Sequence, residues 1–244
     1  VEKVFEQLAA FAAYGFYKAH AADYAELAYQ TLWLKCHYPA EFTAAVLSNQ
    51  PMGYYPPRVL VADGGRFGVK ILPSDINWSS EDYTVEDGAI RVSLKQLKGM
   101  SKEALESILS ERAKGKFTFL RDFVLRTNVS QPILENLVRV GAFDSLGDRN
   151  RLLLQLAKLV ELKHKTGNGA RPLFEDNRPE KRLLEENLGN DMKSRLLVER
   201  ELLSLDLSAH PLDFYPHDNG FTKMRDLAST ATGKTIRIAG SVIR

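Results

Sequence analysis

The sequence predicts a mainly α-helical protein with small β elements, and three patterns carry this prediction. Helical spacing of apolar residues runs through most of residues 1–47, where Gly15 separates a first helix from a second and Pro39 opens a third. Alternating apolar residues flank Asp87-Gly88, a pair that favours the tight turn of a β-hairpin. From about residue 92 to residue 162, short helical segments are joined by turns that contain glycine.

Composition places the chain among folded, globular proteins. Its 244 residues can bury a real core, and 44% of them are hydrophobic and 26% charged. The formal net charge of +2 is too small to indicate a partner, so a nucleic-acid surface would have to come from local clusters of Lys and Arg. The single cysteine, Cys36, excludes an internal disulfide and a cysteine-based zinc site. Because His210 and His217 lack a nearby set of carboxylates, we expect no metal site.

The two ends of the sequence bear on location and completeness. No signal peptide opens the chain, and no apolar run approaches the roughly 18 residues needed to cross a bilayer, so we expect a cytoplasmic protein without membrane contact. The last residues, Lys234–Arg244, alternate polar and apolar side chains like a strand. Since a lone strand cannot satisfy its own backbone, we interpret the chain as a segment of a longer protein.

Changes in composition divide the chain into four predicted units. Residues 1–90 are helices that end in the small β element, and residues 91–165 are the short helices. Residues 166–207 begin with a tether rich in Gly, Asn, Pro and Arg and continue as a charged helix from about residue 180 to residue 205. Its nearly equal numbers of basic and acidic residues are typical of a solvated face. Residues 208–244 lead into the terminal strand pattern.

A helix-hairpin-helix pattern stands in the second unit. In Lys98-Gly99-Met100-Ser101, Gly99 permits a tight turn and Ser101 can cap the helix that follows over residues 102–113. A weaker copy covers residues 134–143. Two such hairpins in tandem would form one compact module.

Charge supports nucleic-acid binding by this module. Between Arg91 and Arg126 there are nine Lys or Arg and four Asp or Glu, in a chain whose net charge is only +2. Backbone amides of the hairpin, with Lys95, Lys98 and Lys102, would bind phosphates without reading bases. The alternative is that these lysines only keep the surface soluble.

A second group of interest precedes the second helix. Within residues 14–20, Lys18 and His20 stand among aromatic residues at the start of a helix, where free amides and the helix dipole favour anions. These two side chains could hold a phosphate. The alternative is an ordinary helix start with an exposed lysine and a hydrogen-bonded histidine.

Residues 11–42 closely resemble the fingers of bacterial family C DNA polymerases, the DNA polymerase III alpha subunits. The resemblance rests on Tyr-Gly-Phe-x-Lys-x-His at residues 14–20 and on His-Tyr-Pro-Ala-Glu-Phe at residues 37–42. It continues in the same order through further motifs at residues 71–77, 97–99, 141–144, 146–149 and 208–212. It therefore covers nearly the whole chain.

This resemblance implies which domains the chain contains and what each would bind. The chain would comprise a multi-helix fingers segment, a tandem helix-hairpin-helix module and the beginning of an OB-type barrel near Lys234. In the family, the fingers help to bind the incoming deoxynucleoside triphosphate, and Lys18, His20 and Tyr24 would line that pocket here. The hairpins would hold the template-primer duplex during replication or error-prone repair synthesis.

The resemblance also implies that the catalytic centre lies elsewhere. Family C catalysis uses aspartates of the palm domain that hold two Mg²⁺ ions, and the palm precedes the residues matched here. The sequence contains no Asp-x-Asp pair. We therefore assign no catalytic residue to this chain, expect Mg²⁺ only at the palm, and expect the chain alone to be inactive.

The tether contains a candidate peptide for the sliding clamp. The family carries a Gln-x-x-Leu-Phe type peptide after its hairpins, and Leu173 and Phe174 match its two apolar anchors, whereas Ala170 replaces the glutamine. The alternative is a loop that packs on its neighbour through these two side chains.

Two short segments bear on the subclass within this family. Residues 49–55 and 206–211 look more like the accessory, error-prone alpha-type polymerases than the main replicative enzyme. A function of another class is a stand-alone, non-catalytic DNA-binding or scaffolding protein.

Overall fold

The structure is a computed structural model that describes residues 2–14, 18–166, 191–214, 221–222, 224–238 and 240. It confirms the mainly helical class. The helices are α1 (Glu2–Tyr14), α2 (Lys18–His37), α3 (Pro39–Ser48), α4 (Pro57–Arg66), α5 (Lys102–Lys114), α6 (Leu120–Arg126), α7 (Gln131–Arg139), α8 (Arg149–Thr166) and α9 (Met192–Leu203). The strands are β1 (Ile71–Leu72), β2 (Thr84–Glu86) and β3 (Ala89–Arg91). None of the helices in this part of the chain is long and apolar enough to span a membrane.

The three strands form one small sheet with β3 in the middle. Ile90 of β3 lies opposite Ile71 of the parallel strand β1 and opposite Val85 of the antiparallel strand β2. The predicted β-hairpin is confirmed, because Asp87 and Gly88 have φ angles of 50° and 76° and form the two-residue turn between β2 and β3. Positive φ at both turn residues matches the twist of the flanking strands.

The third and fourth helices connect the sheet to the N-terminal helices. Gly64 of α4 lies so close to α3 that a Cβ atom there would stand 3.2 Å from the Thr43 side chain. The hydroxyl of Ser48, at the end of α3, accepts a hydrogen bond of 3.1 Å from the backbone amide of Tyr83 beside β2. These contacts fix α3 and α4 on the sheet.

One hydrophobic core holds the sheet and the short helices together. Its centre contains three fully buried phenylalanines, Phe117, Phe123 and Phe143, which pack edge to face with ring centroids 4.8 and 5.0 Å apart. Buried residues from α3 through α8, and from α9, belong to the same cluster. The division of the chain at residues 90, 165 and 207 stays a prediction, and the first of these positions falls within β3.

Helix α9 differs from the solvated helix that its charges indicated. Leu196, Leu202 and Leu203 are at most 4% exposed, and α9 closes the core on one side. Its apolar residues recur at helical spacing, which a count of charges does not detect. Residues 180–190 of the predicted helix lie outside the described part of the chain.

After α9 the chain contains little regular structure among the described residues. Two 3₁₀-helices occupy Pro211–Phe214 and Met224–Ser229, and Phe221 forms a parallel bridge with Arg237. The amide of Thr222 donates a hydrogen bond of 2.7 Å to the Arg237 carbonyl. In the described part of residues 234–244, the predicted strand is therefore represented by this one β-bridge. The beginning of an OB-type barrel stays a prediction.

Candidate DNA-binding site

The first hairpin is a tight turn built around Gly99. The amide of Met100 donates a hydrogen bond of 3.0 Å to the Leu97 carbonyl, which closes the turn. Gly99 has a φ angle of 85°, and a Cβ atom added to it would meet nothing within 4 Å. The backbone conformation, and not packing, therefore explains why glycine stands here, because residues with a side chain rarely adopt this left-handed region. The open space beside Gly99 lets a ligand approach the backbone.

The turn leads directly into the N-terminus of α5. The Ser101 hydroxyl accepts a hydrogen bond of 3.2 Å from the amide of Ala104, so Ser101 is the predicted helix cap. Hydrogen bonds from its own backbone amide and from the Ser101 hydroxyl lower the pKa of the exposed Glu103 carboxyl. A negative charge thus already stands at this helix end, as the helix dipole favours.

Helix α9 holds the hairpin in place, a role that the sequence did not indicate. The amide of Lys98 donates a hydrogen bond of 2.7 Å to the Leu202 carbonyl, and the Gln96 side chain donates one of 2.6 Å to the Leu203 carbonyl. From α7, the Asn136 side chain donates to the Lys98 carbonyl at 3.3 Å. The turn is therefore fixed on both sides before any ligand binds.

The three predicted phosphate-binding lysines differ in their surroundings. Lys95 lies 3.8 Å from an Asp82 oxygen, and Lys102 lies 3.8 Å from a Glu106 oxygen. Lys98 is exposed and forms no ion pair with any described residue. Exposed pairs of this length stabilise by at most about 1 kcal/mol, so Lys95 and Lys102 remain available, but only Lys98 carries an unmatched charge.

The surrounding excess of positive charge is smaller than the sequence count indicates. Ion pairs engage five of the nine basic side chains between residues 91 and 126, namely Arg91, Lys95, Lys102, Lys114 and Arg126. Arg112 instead donates to the carbonyls of Ile76 and Ser79. Within the described ranges, this leaves Lys98, Lys116 and Arg121 without a carboxylate partner.

The second hairpin has a different chemistry from the first. Gly141 has a φ angle of 86°, and a Cβ atom there would lie 2.0 Å from Arg149. The Arg149 guanidinium makes two hydrogen bonds to Asp144, at 2.8 and 2.7 Å, and one of 3.2 Å to the Arg139 carbonyl. An ion pair of the chain itself therefore covers this turn. The sequence predicted a hairpin at Gly99 and a weaker copy at residues 134–143, and of these two the structure leaves the first open.

The predicted nucleotide-binding residues lie at the start of α2. Lys18 is the first residue of that helix. The rings of His20 and Tyr24 are one turn apart, edge to face, with centroids separated by 4.4 Å, and both side chains are exposed. Their role in nucleotide binding stays a prediction.

The other predicted site residues can be placed only in part. Leu173, Phe174 and Ala170 lie outside the described residues. No group of three or more His, Cys, Asp or Glu in the described ranges is arranged to hold a metal ion. The ring of His210 accepts a hydrogen bond of 3.2 Å from the Leu212 amide, and His217 lies outside the described part.

Comparison with known proteins agrees with the hairpin geometry. A family model described as a helix-hairpin-helix motif matches residues 68–153, which include β1–β3 and both hairpins.

Several curated bacterial proteins are similar along most of the chain. Error-prone DNA polymerase 1 of Rhizobium meliloti (strain 1021) is 33% identical over 271 aligned positions, which cover 99% of this chain and 24% of that protein. The error-prone DNA polymerase of Symbiobacterium thermophilum is 39% identical, covering 73% of this chain and 19% of that protein. The DNA polymerase III subunit alpha of Thermus aquaticus is 37% identical, covering 88% and 18% respectively.

The chain thus spans at most about a quarter of the length of these relatives. Both subclasses are represented among them, so the predicted error-prone subclass stays a prediction. The resemblance that the motifs indicated is confirmed: this chain is a homologue of one segment of the bacterial family C DNA polymerases, which include the DNA polymerase III alpha subunits and the error-prone DNA polymerases.

Proposed function

We propose that this chain is the segment of a family C DNA polymerase that holds the template-primer duplex through phosphate contacts at the first hairpin. The observation that supports this most is the combination of an open Gly99 turn, the N-terminus of α5 and the unpaired charge of Lys98. Backbone amides and a lysine at a helix N-terminus are suited to phosphate oxygens.

Rigidity of the hairpin supports the same proposal. Hydrogen bonds from Lys98 and Gln96 to α9 fix the turn in advance, so little conformational entropy is lost when a phosphate binds. Contacts of this type position a duplex without reading its sequence, as a polymerase that copies any template requires.

The catalytic steps of the whole enzyme are part of the proposal. Palm aspartates with two Mg²⁺ ions would catalyse nucleotidyl transfer, and Lys18, His20 and Tyr24 would contact the triphosphate of the incoming nucleotide. Leu173 and Phe174 would anchor the enzyme to the sliding clamp. We propose that the whole enzyme acts in the cytoplasm, in DNA replication or error-prone repair synthesis, and that this segment alone does not polymerise.

Duplex binding at several salt concentrations tests the proposal. The chain should bind two primed duplexes of unrelated sequence with equal affinity, and that affinity should fall steeply with salt as counterions are released. Lys98→Ala should lower the slope of log K against log salt by about 0.9, the value for one phosphate contact.

Two further variants sharpen this test. Lys70→Ala removes an exposed lysine near β1 and should leave the slope unchanged. Glu103→Gln removes the negative charge at the α5 N-terminus and should tighten binding about threefold at low salt. The proposal fails if Lys98→Ala and Lys70→Ala bind duplex equally well.

A further inference from the structure

A tryptophan and a lysine meet at the far end of α5 from the first hairpin. The Lys116 ammonium lies 3.1 Å from the centroid of the Trp78 ring, and 56% of Trp78 is exposed. Lys116 directly follows the helix end at Gly115, whereas Trp78 comes from the turn after β1. The pair therefore joins two segments that are distant in sequence.

Both segments are held rigidly beneath the exposed pair. The Asn77 side chain donates a hydrogen bond of 2.8 Å to the Phe117 carbonyl and accepts one of 2.8 Å from the Phe117 amide. The Arg112 guanidinium donates to the carbonyls of Ile76 and Ser79, at 3.1 and 2.6 Å. These hydrogen bonds thus fix the backbone on each side of Trp78, while the residue itself remains exposed.

A second lysine-aromatic pair in the chain shows what sets this one apart. Lys35 lies 5.1 Å from the centroid of the Phe67 ring, and its ammonium is paired with Asp63 at 2.5 Å. Lys116 has no carboxylate partner in the described ranges, and Arg121, also exposed and unpaired, follows five residues later. The Trp78 pair therefore combines an exposed ring with charge that no part of the described chain neutralises.

We infer that Trp78 and Lys116 form a stacking site for an unpaired base of single-stranded DNA, with Lys116 contacting the adjacent phosphate. Because the Lys116 ammonium lies over one face of the Trp78 ring, the base would stack on the opposite face. An exposed aromatic ring with an unmatched cation suits any nucleotide, because every base has a π face and every nucleotide carries a phosphate. The 13 residues of α5 separate this site from the first hairpin by about 20 Å. Duplex at the hairpin and an unpaired strand at Trp78 can thus lie along one path.

The inference extends the proposed function and rests on it only in taking DNA as the ligand. Its test uses the two tryptophans of the chain, Trp33 and Trp78. In a Trp33→Phe background, an unlabelled oligo(dT) should quench the emission of Trp78 in a saturable manner, because a stacked base lies on the ring. A blunt duplex of the same length should quench it weakly. Absence of quenching at saturating oligo(dT) overturns the inference.

Affinities measured by anisotropy of a fluorescein-labelled oligo(dT) complete the test. Trp78→Ala should weaken binding roughly tenfold, and Trp78→Phe, which keeps a ring, should retain most of the affinity. Lys116→Ala should lower the salt slope by about 0.7, the value for one single-strand phosphate. Phe67→Ala is the matched control and should bind like the unchanged chain.

Binding of blunt duplex distinguishes the stacking site from the proposed hairpin function. Trp78→Ala should bind blunt duplex with unchanged affinity, while Lys98→Ala weakens it. Equal loss of single-strand and duplex affinity in Trp78→Ala, or no loss of single-strand affinity, overturns the stacking site. Failure of Lys98→Ala to weaken duplex binding overturns only the proposed hairpin function.

Discussion

Glu199 offers a sharp test of how α9 and the residues after it are held. Glu199 is 5% exposed. One carboxylate oxygen accepts hydrogen bonds from the amides of Leu207 and Ser208, at 2.9 and 2.8 Å, and the other accepts the Ser208 hydroxyl. Glu199→Ala would leave these three donors without their acceptor, close to the core that α9 completes.

The expected loss of stability follows from these contacts. A buried donor without an acceptor costs about 1–3 kcal/mol, and Leu207 and Ser208 are only partly buried, so we expect a total of about 3 kcal/mol. For a chain of this size, about 2–4 °C of Tm corresponds to each kcal/mol. Thermal unfolding followed by circular dichroism should therefore show Glu199→Ala melting about 10 °C lower than the unchanged chain.

The matched variant Glu199→Gln separates hydrogen bonding from charge. A glutamine oxygen can accept both amides and its NH₂ group can donate to the Ser208 hydroxyl, so only the strengthening by charge is lost. We expect a loss of about 1 kcal/mol, or about 3 °C. Equal melting temperatures for the Ala and Gln variants would refute the argument, as would an unchanged Tm for Glu199→Ala.

Three further predictions concern other parts of the chain. Burial raises the pKa of Tyr83, and its hydroxyl has no hydrogen-bond partner among the described residues, so Tyr83→Phe should raise the unfolding free energy by about 1 kcal/mol, and a lower midpoint in urea would contradict this. Gly141→Ala would place a Cβ atom 2.0 Å from Arg149 and should cost about 3 kcal/mol in the same urea assay, whereas a loss below about 1 kcal/mol would show that the turn adapts. Replacing Leu173 and Phe174 by Ala should lower the affinity for the cognate sliding clamp, measured by titration, at least about twentyfold. Equal affinities would show that these two residues do not bind the clamp.

Local chemistry explains what the sequence could predict. The hairpin at Asp87-Gly88, the turn at Gly99 and the cap at Ser101 all depend on residues adjacent in the chain, and the structure has all three. The small β element and the order of the helices follow from apolar spacing, which is also a local property.

The features that the sequence did not predict depend on side-chain contacts that reach across a turn or join residues far apart in the chain. Arg149 closes the second hairpin from outside its turn, and Gln96 binds the end of α9, 107 residues away. Neither contact leaves a signal in a local pattern. The same reason applies to the proposed stacking site, where Trp78 and Lys116 meet because hydrogen bonds of Asn77 and Arg112 join their two segments.

We expect the first hairpin, and not the second, to contact DNA. The chain contains 16 glycines. If these are labelled with ¹⁵N, their amide resonances report on both turns in one titration with a primed duplex. We expect the Gly99 resonance to shift in a saturable manner with the binding curve, while the resonance of Gly141, which lies beneath the Arg149–Asp144 ion pair, stays in place. A saturable shift of Gly141 together with an unperturbed Gly99 would contradict the claim.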